Sequence, residues 1–260
     1  MAEREDVMDL NLRGKRAIVT GASKGIGFSC AQALAAEGVE VVIVSRDAAR
    51  LSVAREELGD RVRTFVADLS QSDEREKLAA AHPAPDILIN NAGAIPGGNL
   101  FDIDLDRWRE AWQLKVFGYI HLTQLYLKGM AERRSGAIVN IIGLAGVSPR
   151  WDYVCGAAGN AALIAFTKAI GGRSPDLGVR VCAINPASTR TDRIVDLSKA
   201  RARQKYDGDE SRWEEFLQGL PFNRAAEPDE IAALATMLCS DRLGYVSGSV
   251  IDVDGGVQYR

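Results

Sequence analysis

Thr20-Gly-Ala-Ser-Lys-Gly-Ile-Gly27 is the stretch that decides the fold. Before it, the β-branched run Lys15–Thr20 (KRAIVT) reads as a buried strand. After it, Gly25–Glu37 carries Ile26, Cys30, Ala33 and Leu34 at helical spacing and stops at Gly38. A glycine-rich turn that hands a strand over to a helix N-terminus has a physical use. The free N–H groups of the first helical turn and the helix dipole favour a pyrophosphate. Gly21 permits the tight turn, Gly25 lets the backbone approach phosphate, and Gly27 lets helix and strand pack closely. Ser23, Lys24 and Ile26 lie in the same turn. The competing reading, a glycine-rich turn with no ligand, loses weight as the rest of the chain is read.

Outward from this turn, strands and helices alternate. Val39–Ser45, Val62–Ala67, Asp86–Ile89, Gly136–Ile142, Gly178–Ile184 and Ser249–Val253 read as strands. Between them lie helices at Asp47–Leu58 (capped by Asp47), Ser70–Ala80, a long central one at Asp104–Arg133, a small-residue one at Tyr153–Gly171, and Pro228–Ser240. Repeated strand–helix units predict a parallel sheet covered on both faces, hence a single α/β domain of Rossmann-type, doubly wound architecture over residues 1–260. Residues 1–12 read as an N-terminal extension. The polar segment 189–220 breaks the rhythm and reads as an insertion forming a lid over the substrate pocket.

Composition narrows the function classes. With 47% hydrophobic and 26% charged residues and a net charge of −3, the chain has the balance of a globular protein, which argues against a nucleic-acid binder working by bulk charge. No run reaches the ~18 consecutive apolar residues of a membrane helix, and the longest apolar stretch, Gly136–Val147, is interrupted by Asn140. The start, MAEREDVMDLN, is charged where a signal peptide is apolar. Cys30, Cys155, Cys182 and Cys239 are far apart, and His82 and His121 complete a poor metal-ligand set. The expectation is a cytoplasmic protein with reduced thiols, no metal, no membrane and no nucleic acid.

The second strand ends Ser45-Arg46. An acidic residue here accepts hydrogen bonds from the adenosine ribose, whereas a basic one favours a 2′-phosphate. Arg46 supplies charge and a bidentate fork, and Lys24 can reach the same phosphate, so NADP(H) is favoured over NAD(H). A solvated Arg46 is the alternative. Asp68 and Leu69, after the third strand, are placed to contact adenine. Asn91, Ala92 and Gly93, after the fourth, form a small polar turn suited to close cofactor approach.

TGASKGIG (20–27), ADLS (67–70), NNAG (90–93), IVNI (138–141), INPAST (184–189) and SGSVIDVDGG (247–256) together resemble the short-chain dehydrogenase/reductase family, in order, over about residues 12–256. The resemblance implies a seven-stranded parallel sheet, a nicotinamide cofactor, a small-molecule substrate and a homodimer or homotetramer. Its Ser-Arg strand ending goes with NADP(H). In relatives a Pro-Gly turn followed by Thr contacts the carboxamide and phosphates. Here the corresponding residues are Pro186, Ala187, Thr189 and Thr191, with alanine for glycine.

The family pattern also implies a Tyr-x-x-x-Lys pair with a Ser and an Asn. Tyrosine and lysine one turn apart share a helix face, where the ammonium lowers the phenol pKa so that it can shuttle a proton. None of the six tyrosines here has a lysine four residues later. Anchoring on AALIAFTKAI (161–170), the tyrosine position falls on Gly156 and the lysine position on Asn160. The serine falls on Gly143 and the asparagine on Lys115. Lysine and asparagine are thus exchanged. Lys115 is expected to hold the nicotinamide ribose with Asn160 as partner, drift in a lost site being the alternative. Tyr153, at the helix entry, is the replacement proton donor, with Asp152 and Cys155 as rivals. Tyr119 reads as a packing residue and His121 as a surface or interface residue.

Arg190, Arg193, Lys199, Arg201, Arg203 and Lys205 make the lid segment basic. A solvated helix and a site for an anionic or acyl-carrier-linked substrate both fit. Three functions stay open: an NADP(H)-dependent oxidoreductase on a carbonyl/alcohol or related pair with non-standard residues; a lyase, isomerase or dehydratase on the same scaffold; or a non-catalytic NADP(H)-binding subunit. The two central helices carry more apolar positions than one sheet face covers, which predicts a two-fold interface.

Overall fold

A computed structural model describes residues 8–260. Residues 1–7, most of the expected N-terminal extension, lie outside the described residues. The strands are β1 (Arg16–Thr20), β2 (Glu40–Ser45), β3 (Val62–Val66), β4 (Ile87–Asn90), β5 (Gly136–Ile141), β6 (Val179–Pro186) and β7 (Val250–Val253). They form one seven-stranded sheet, β3-β2-β1-β4-β5-β6-β7, in which every pair is parallel. Strand order reverses between β1 and β4, so the crevice beyond their carboxyl ends is the place where such a sheet receives a ligand. The glycine-rich turn leaves β1 at that point.

Helices α1 (Gly25–Ala36), α2 (Ala48–Leu58) and α8 (Pro228–Cys239) cover one face. The other is covered by α3 (Ser72–Ala81), α4 (Leu105–Trp112), α5 (Gly118–Arg133) and α6 (Val154–Arg173). Alternation along β1 divides the core. Ala17 and Val19 pack with Cys30, Leu34 and Leu238, whereas Ile18 packs with Leu122, Tyr126 and Met130 on the far side. Each such fully buried aliphatic chain contributes roughly 1.5–3 kcal/mol, enough that the period-two pattern fixes which face each strand turns inward. Asp47 caps α2 by accepting from the Arg50 N–H, as expected. In α8, Pro228 occupies the first turn, and Glu227 and Glu230 cap each other's backbone.

Element ends differ from the sequence expectations by one or two residues, with three more substantial differences. The long central helix is interrupted: a π turn, Gln113–Phe117, separates α4 from α5. Buried Arg75 of α3 donates to the Gln113 carbonyl at 3.3 Å and to the Leu69 carbonyl at 2.7 Å, holding that turn. Such π turns place side chains off the regular helical register and recur at functional sites. Lys115 is at the middle of this one. The segment 189–220 is less irregular than it reads, because it contains α7 (Asp192–Lys205) and a 3₁₀ turn, Trp213–Leu217. α7 lies against the loop after β4: Leu197 and Ala200 sit over Gly97, and Gln204 donates to Asp102 at 2.6 Å. Finally, Val154–Leu177 is long and apolar enough to cross a membrane by length and composition, although Asn160, Lys168, Arg173 and Asp176 break any continuous apolar run. Half of that stretch is buried within the protein.

Candidate active site

The half of the cleft beside β1 is built largely by backbone. The Gly21 and Ala22 N–H groups donate to the Val44 carbonyl at 2.8 and 3.3 Å, tying the turn to the end of β2. Gly21 and Gly25 have φ of +63° and +60°, a region that side-chain-bearing residues rarely adopt. The turn is also stitched to the end of β4. Thr20 Oγ1 accepts from the N–H groups of Asn91 (2.9 Å) and Ala92 (3.1 Å), and Asn91 Nδ2 donates to the Thr20 and Gly21 carbonyls at 3.0 Å each. A Cβ on Gly27 would lie 2.4 Å from Asn91 Nδ2 and 2.5 Å from the Gly21 oxygen. Gly27 therefore admits the Asn91 amide and the turn itself, where helix–strand packing was the expectation.

At the end of β2, Ser23 Oγ donates to Ser45 Oγ at 3.3 Å. Arg46 is exposed and has no ion-pair partner among the described residues. Lys24 departs from expectation: its Nζ is bonded to Asp192 in the first turn of α7. Both members are mostly exposed, so the pair is worth about 0–1 kcal/mol and is open to competition from another anion. Asp68 Oδ1 accepts from the Ser70 N–H and hydroxyl, at 3.0 and 2.8 Å. Ala187 donates its N–H to the Val253 carbonyl at the end of β6, next to Pro186. The Thr191 methyl packs on Gly25, 3.2 Å from where a Cβ would be. Thr189 is buried and bridges to Ala226.

The half beyond β4 and β5 is built by side chains. Lys115 is 8% exposed. Its Nζ donates to the Ile141 carbonyl (2.8 Å) and the Ile142 carbonyl (3.1 Å) and lies 3.0 Å from Tyr119 Oη. Its stem crosses Gly93, where a Cβ would lie 2.6 Å from Lys115 Cδ. Burial, and next the positive charge of Arg193, push the ammonium down from 10.5 to about 7. Tyr119 is buried and donates to the Ile141 carbonyl at 2.8 Å; it supports the lysine as well as packing.

Beyond β5, two glycines are overlaid by side chains from other positions. At Gly143 a Cβ would lie 2.8 Å from Asn160 Nδ2, which donates to the Gly143 carbonyl at 3.3 Å. At Gly156 a Cβ would lie 2.1 Å from Cε1 and Cζ of Tyr153 and 2.6 Å from its hydroxyl oxygen. The Tyr153 ring therefore occupies the volume into which a side chain at 156 would start. Lys115 and Asn160 do not bond each other, contrary to their expected partnership. They take successive carbonyls of the same segment, Ile141, Ile142 and Gly143, and Asn160 Oδ1 is buried with no partner among the described residues. The rivals of Tyr153 are committed elsewhere. Asp152 is paired with Arg201 (2.8 Å) and Arg150 (3.4 Å). Cys155 is fully buried, and its thiol is pushed up to about 11 by that burial. His121 accepts from Arg75 Nε at 3.0 Å on the side of α5 that meets α3, away from the site.

The family model described as enoyl-(acyl carrier protein) reductase matches residues 21–258. The chain belongs to the short-chain dehydrogenase/reductase family. A solved chain titled short chain dehydrogenase/reductase family protein is 36% identical, with a TM-score of 0.85, and the match covers 97% of this chain and 100% of that one. The 2-keto-3-deoxy-L-fuconate dehydrogenase of Xanthomonas campestris pv. campestris is 34% identical over 94% of this chain and 80% of its own length. The L-sorbose reductase of Gluconobacter frateurii, solved with NADPH and L-sorbose, is 30% identical with a TM-score of 0.84, covering 95% of this chain and 98% of that one.

This short-chain dehydrogenase/reductase contains two groups that sequence reasoning did not single out. Arg193, only one of six basic residues in its segment, turns into the cleft and donates from Nη2 to the Ile95 carbonyl and to Tyr153 Oη, the latter at 3.3 Å. Beneath the site, Asn90 Nδ2 donates to Asn140 Oδ1 at 2.9 Å, and Asn140 Nδ2 to Thr167 at 3.0 Å. That buried row locks α6 to β4 and β5. The asparagines in NNAG and IVNI were its only sequence signal.

Proposed function

We propose that the chain is an NADP(H)-dependent oxidoreductase acting on a carbonyl/alcohol pair, with Lys115, Tyr153 and Asn160 standing in for the family's Ser, Tyr, Lys and Asn. The observation that carries this reading is the refilling of the site. Where the family pattern puts serine and tyrosine this chain has Gly143 and Gly156, and each is covered by a polar side chain from within the cleft. Drift would leave gaps, or fill them with apolar groups.

The cleft fits a nicotinamide dinucleotide. The positive-φ glycines form a cradle, exposed Arg46 offers a guanidinium to a 2′-phosphate, and the orphaned Asn160 Oδ1 is an acceptor for a ribose hydroxyl. Gly21–Gly27 would take the pyrophosphate, Asp68 and Leu69 the adenine, and Asn91–Gly93 with Pro186, Ala187, Thr189 and Thr191 the nicotinamide side. When bound, that cofactor supplies the two-electron exchange at the substrate carbon. The protein supplies the proton: Tyr153 Oη gives it to the carbonyl oxygen during reduction and takes it back from the alcohol during oxidation. Lys115, titrating near neutrality, exchanges protons with the cleft and holds the ribose. Similarity to a 2-keto-3-deoxy-L-fuconate dehydrogenase and an L-sorbose reductase supports a carbonyl/alcohol pair as the substrate class.

The test is absorbance at the nicotinamide band with purified protein, NADPH or NADP⁺, and panels of carbonyls and alcohols. Turnover that survives intact in both Tyr153→Phe and Lys115→Met overturns the assignment. The outward sides of α5 and α6 support a self-partner: Phe117 is 47% exposed, with Ile120 and Phe166 half-buried beside exposed Ala161, Ala162 and Ala165. Sedimentation is expected to give a dimer or tetramer that Phe117→Glu dissociates.

A further inference from the structure

We infer that Arg193 is a receptor for a substrate carboxylate, so that the substrate is an oxo acid or hydroxy acid whose carboxylate lies one or two carbons from the reacting carbon. The inference rests on the oxidoreductase reading above and narrows its substrate class.

The argument begins with charge pairing along α7 and its approach. Arg190 is neutralised by Glu227 (2.9 Å), Arg201 by Asp152 (2.8 Å), and Arg203 by Glu210. Arg193, like Lys199 and Lys205, has no carboxylate partner among the described residues, but of these three it is the one hydrogen-bonded to Tyr153. Of the acids around it, Asp192 is engaged with Lys24 and Asp152 with two arginines, while Asp196, one turn along α7, is exposed and forms no ion pair with it. A half-buried guanidinium facing a cleft without a counter-ion is an unfavourable arrangement that an incoming anion relieves.

Its hydrogen bonds say where the anion sits. Nη2 is occupied by the Ile95 carbonyl and Tyr153 Oη, while Nε and Nη1 have no partner among the described residues. Nε and Nη1 face opposite sides of the guanidinium, and a carboxylate oxygen received on either one lies next to the Nη2 group that holds Tyr153 Oη. The spacing between carboxylate and carbonyl is therefore short, since both bond groups that are themselves hydrogen-bonded. Electrostatics agree: Arg193 faces the same space as buried Lys115, whose ammonium it disfavours.

The experiment uses the full chain loaded with NADP⁺. Calorimetric titration compares 2-oxobutyrate and acetoacetate with their uncharged counterparts, 2-oxobutanamide and acetoacetamide. At least one acid is expected to bind roughly tenfold tighter than its amide, the scale of a charge-assisted hydrogen bond. Arg193→Gln is expected to abolish that preference while leaving amide binding unchanged, and Arg193→Lys to restore part of it. Equal binding of acid and amide by the wild type overturns the inference, as does failure of both acids to bind at millimolar concentration. So does an Arg193→Gln variant that weakens acid and amide alike, which would make Arg193 a positioning residue for Tyr153. The two readings fail separately. Turnover confined to neutral carbonyls removes the carboxylate receptor and leaves the oxidoreductase. Acid-selective binding without turnover of any carbonyl or alcohol does the reverse.

Discussion

Glycines line both halves of the cleft, but for different reasons. Around β1 and α1 they are required by backbone: positive φ at Gly21 and Gly25, and at Gly27 the closeness of the Gly21 oxygen and the Asn91 amide. Around β5 and α6 side chains intrude as well: Tyr153 lies over Gly156, and Asn160 over Gly143, whose own φ of +141° already disfavours a side chain. The first half is a scaffold in which the turn is fixed by its own backbone and by its bonds to the end of β4. The second is an interlocked set in which one residue is small because another is large, so substitutions there are coupled.

The largest expected effect breaks the interlocked half at its buried charge. Lys115→Met is expected to lower turnover by roughly 10²–10⁴-fold, the range for loss of a general acid–base group, and to remove an inflection near pH 7 from the rate profile. It also carries a stability signature of defined sign. The folded-state pKa is lowered from 10.5 to about 7, so between those values the unfolded chain binds the extra proton and wild-type stability rises with pH. Below about pH 7 that contribution is absent. Lys115→Met should therefore be the more stable protein at pH 6, with the difference shrinking toward pH 10, as measured by urea unfolding.

Coupling is tested next by Gly156→Ala. A methyl there meets the Tyr153 ring at 2.1 Å, so the ring must leave. Turnover should fall by about the amount seen for Tyr153→Phe, and the double variant should be little worse than either single one, as for residues acting through one contact. Gly172→Ala, in the same helix with nothing within 4 Å of the added atom, is the control and should be neutral or slightly stabilising. Additive losses would show that the two positions are independent.

In the scaffold half, effects should be smaller and confined to the cofactor. Arg46→Ala is expected to reduce the preference for NADP(H) over NAD(H) by about 1.5–3 kcal/mol, read as a difference of binding constants. Equal affinity of the wild type for both cofactors would remove the 2′-phosphate assignment. Smallest of all, Lys24→Ala should cost less than about 1 kcal/mol of stability, because its bond to Asp192 is mostly exposed.

Strand order, most helices, the parallel sheet, the position of the cleft and the cap at Asp47 were legible in the sequence, because period-two and helical patterns and the turn chemistry of glycine involve residues close together in the chain. The same local reading picked out Lys115, Tyr153 and Asn160 as departures from a familiar spacing. It left Lys115 and Asn160 paired with each other, Lys24 aimed at a phosphate, and Arg193 indistinguishable from five other basic residues. The tertiary structure alone decided those points. A π turn leaves composition unchanged yet resets which side of a helix a lysine faces. Which side chain fills the space above a glycine depends on how separate segments pack. Whether an arginine is neutralised depends on acids brought near it by folding. Such relations are set by distance in space, and consecutive residues carry little record of it.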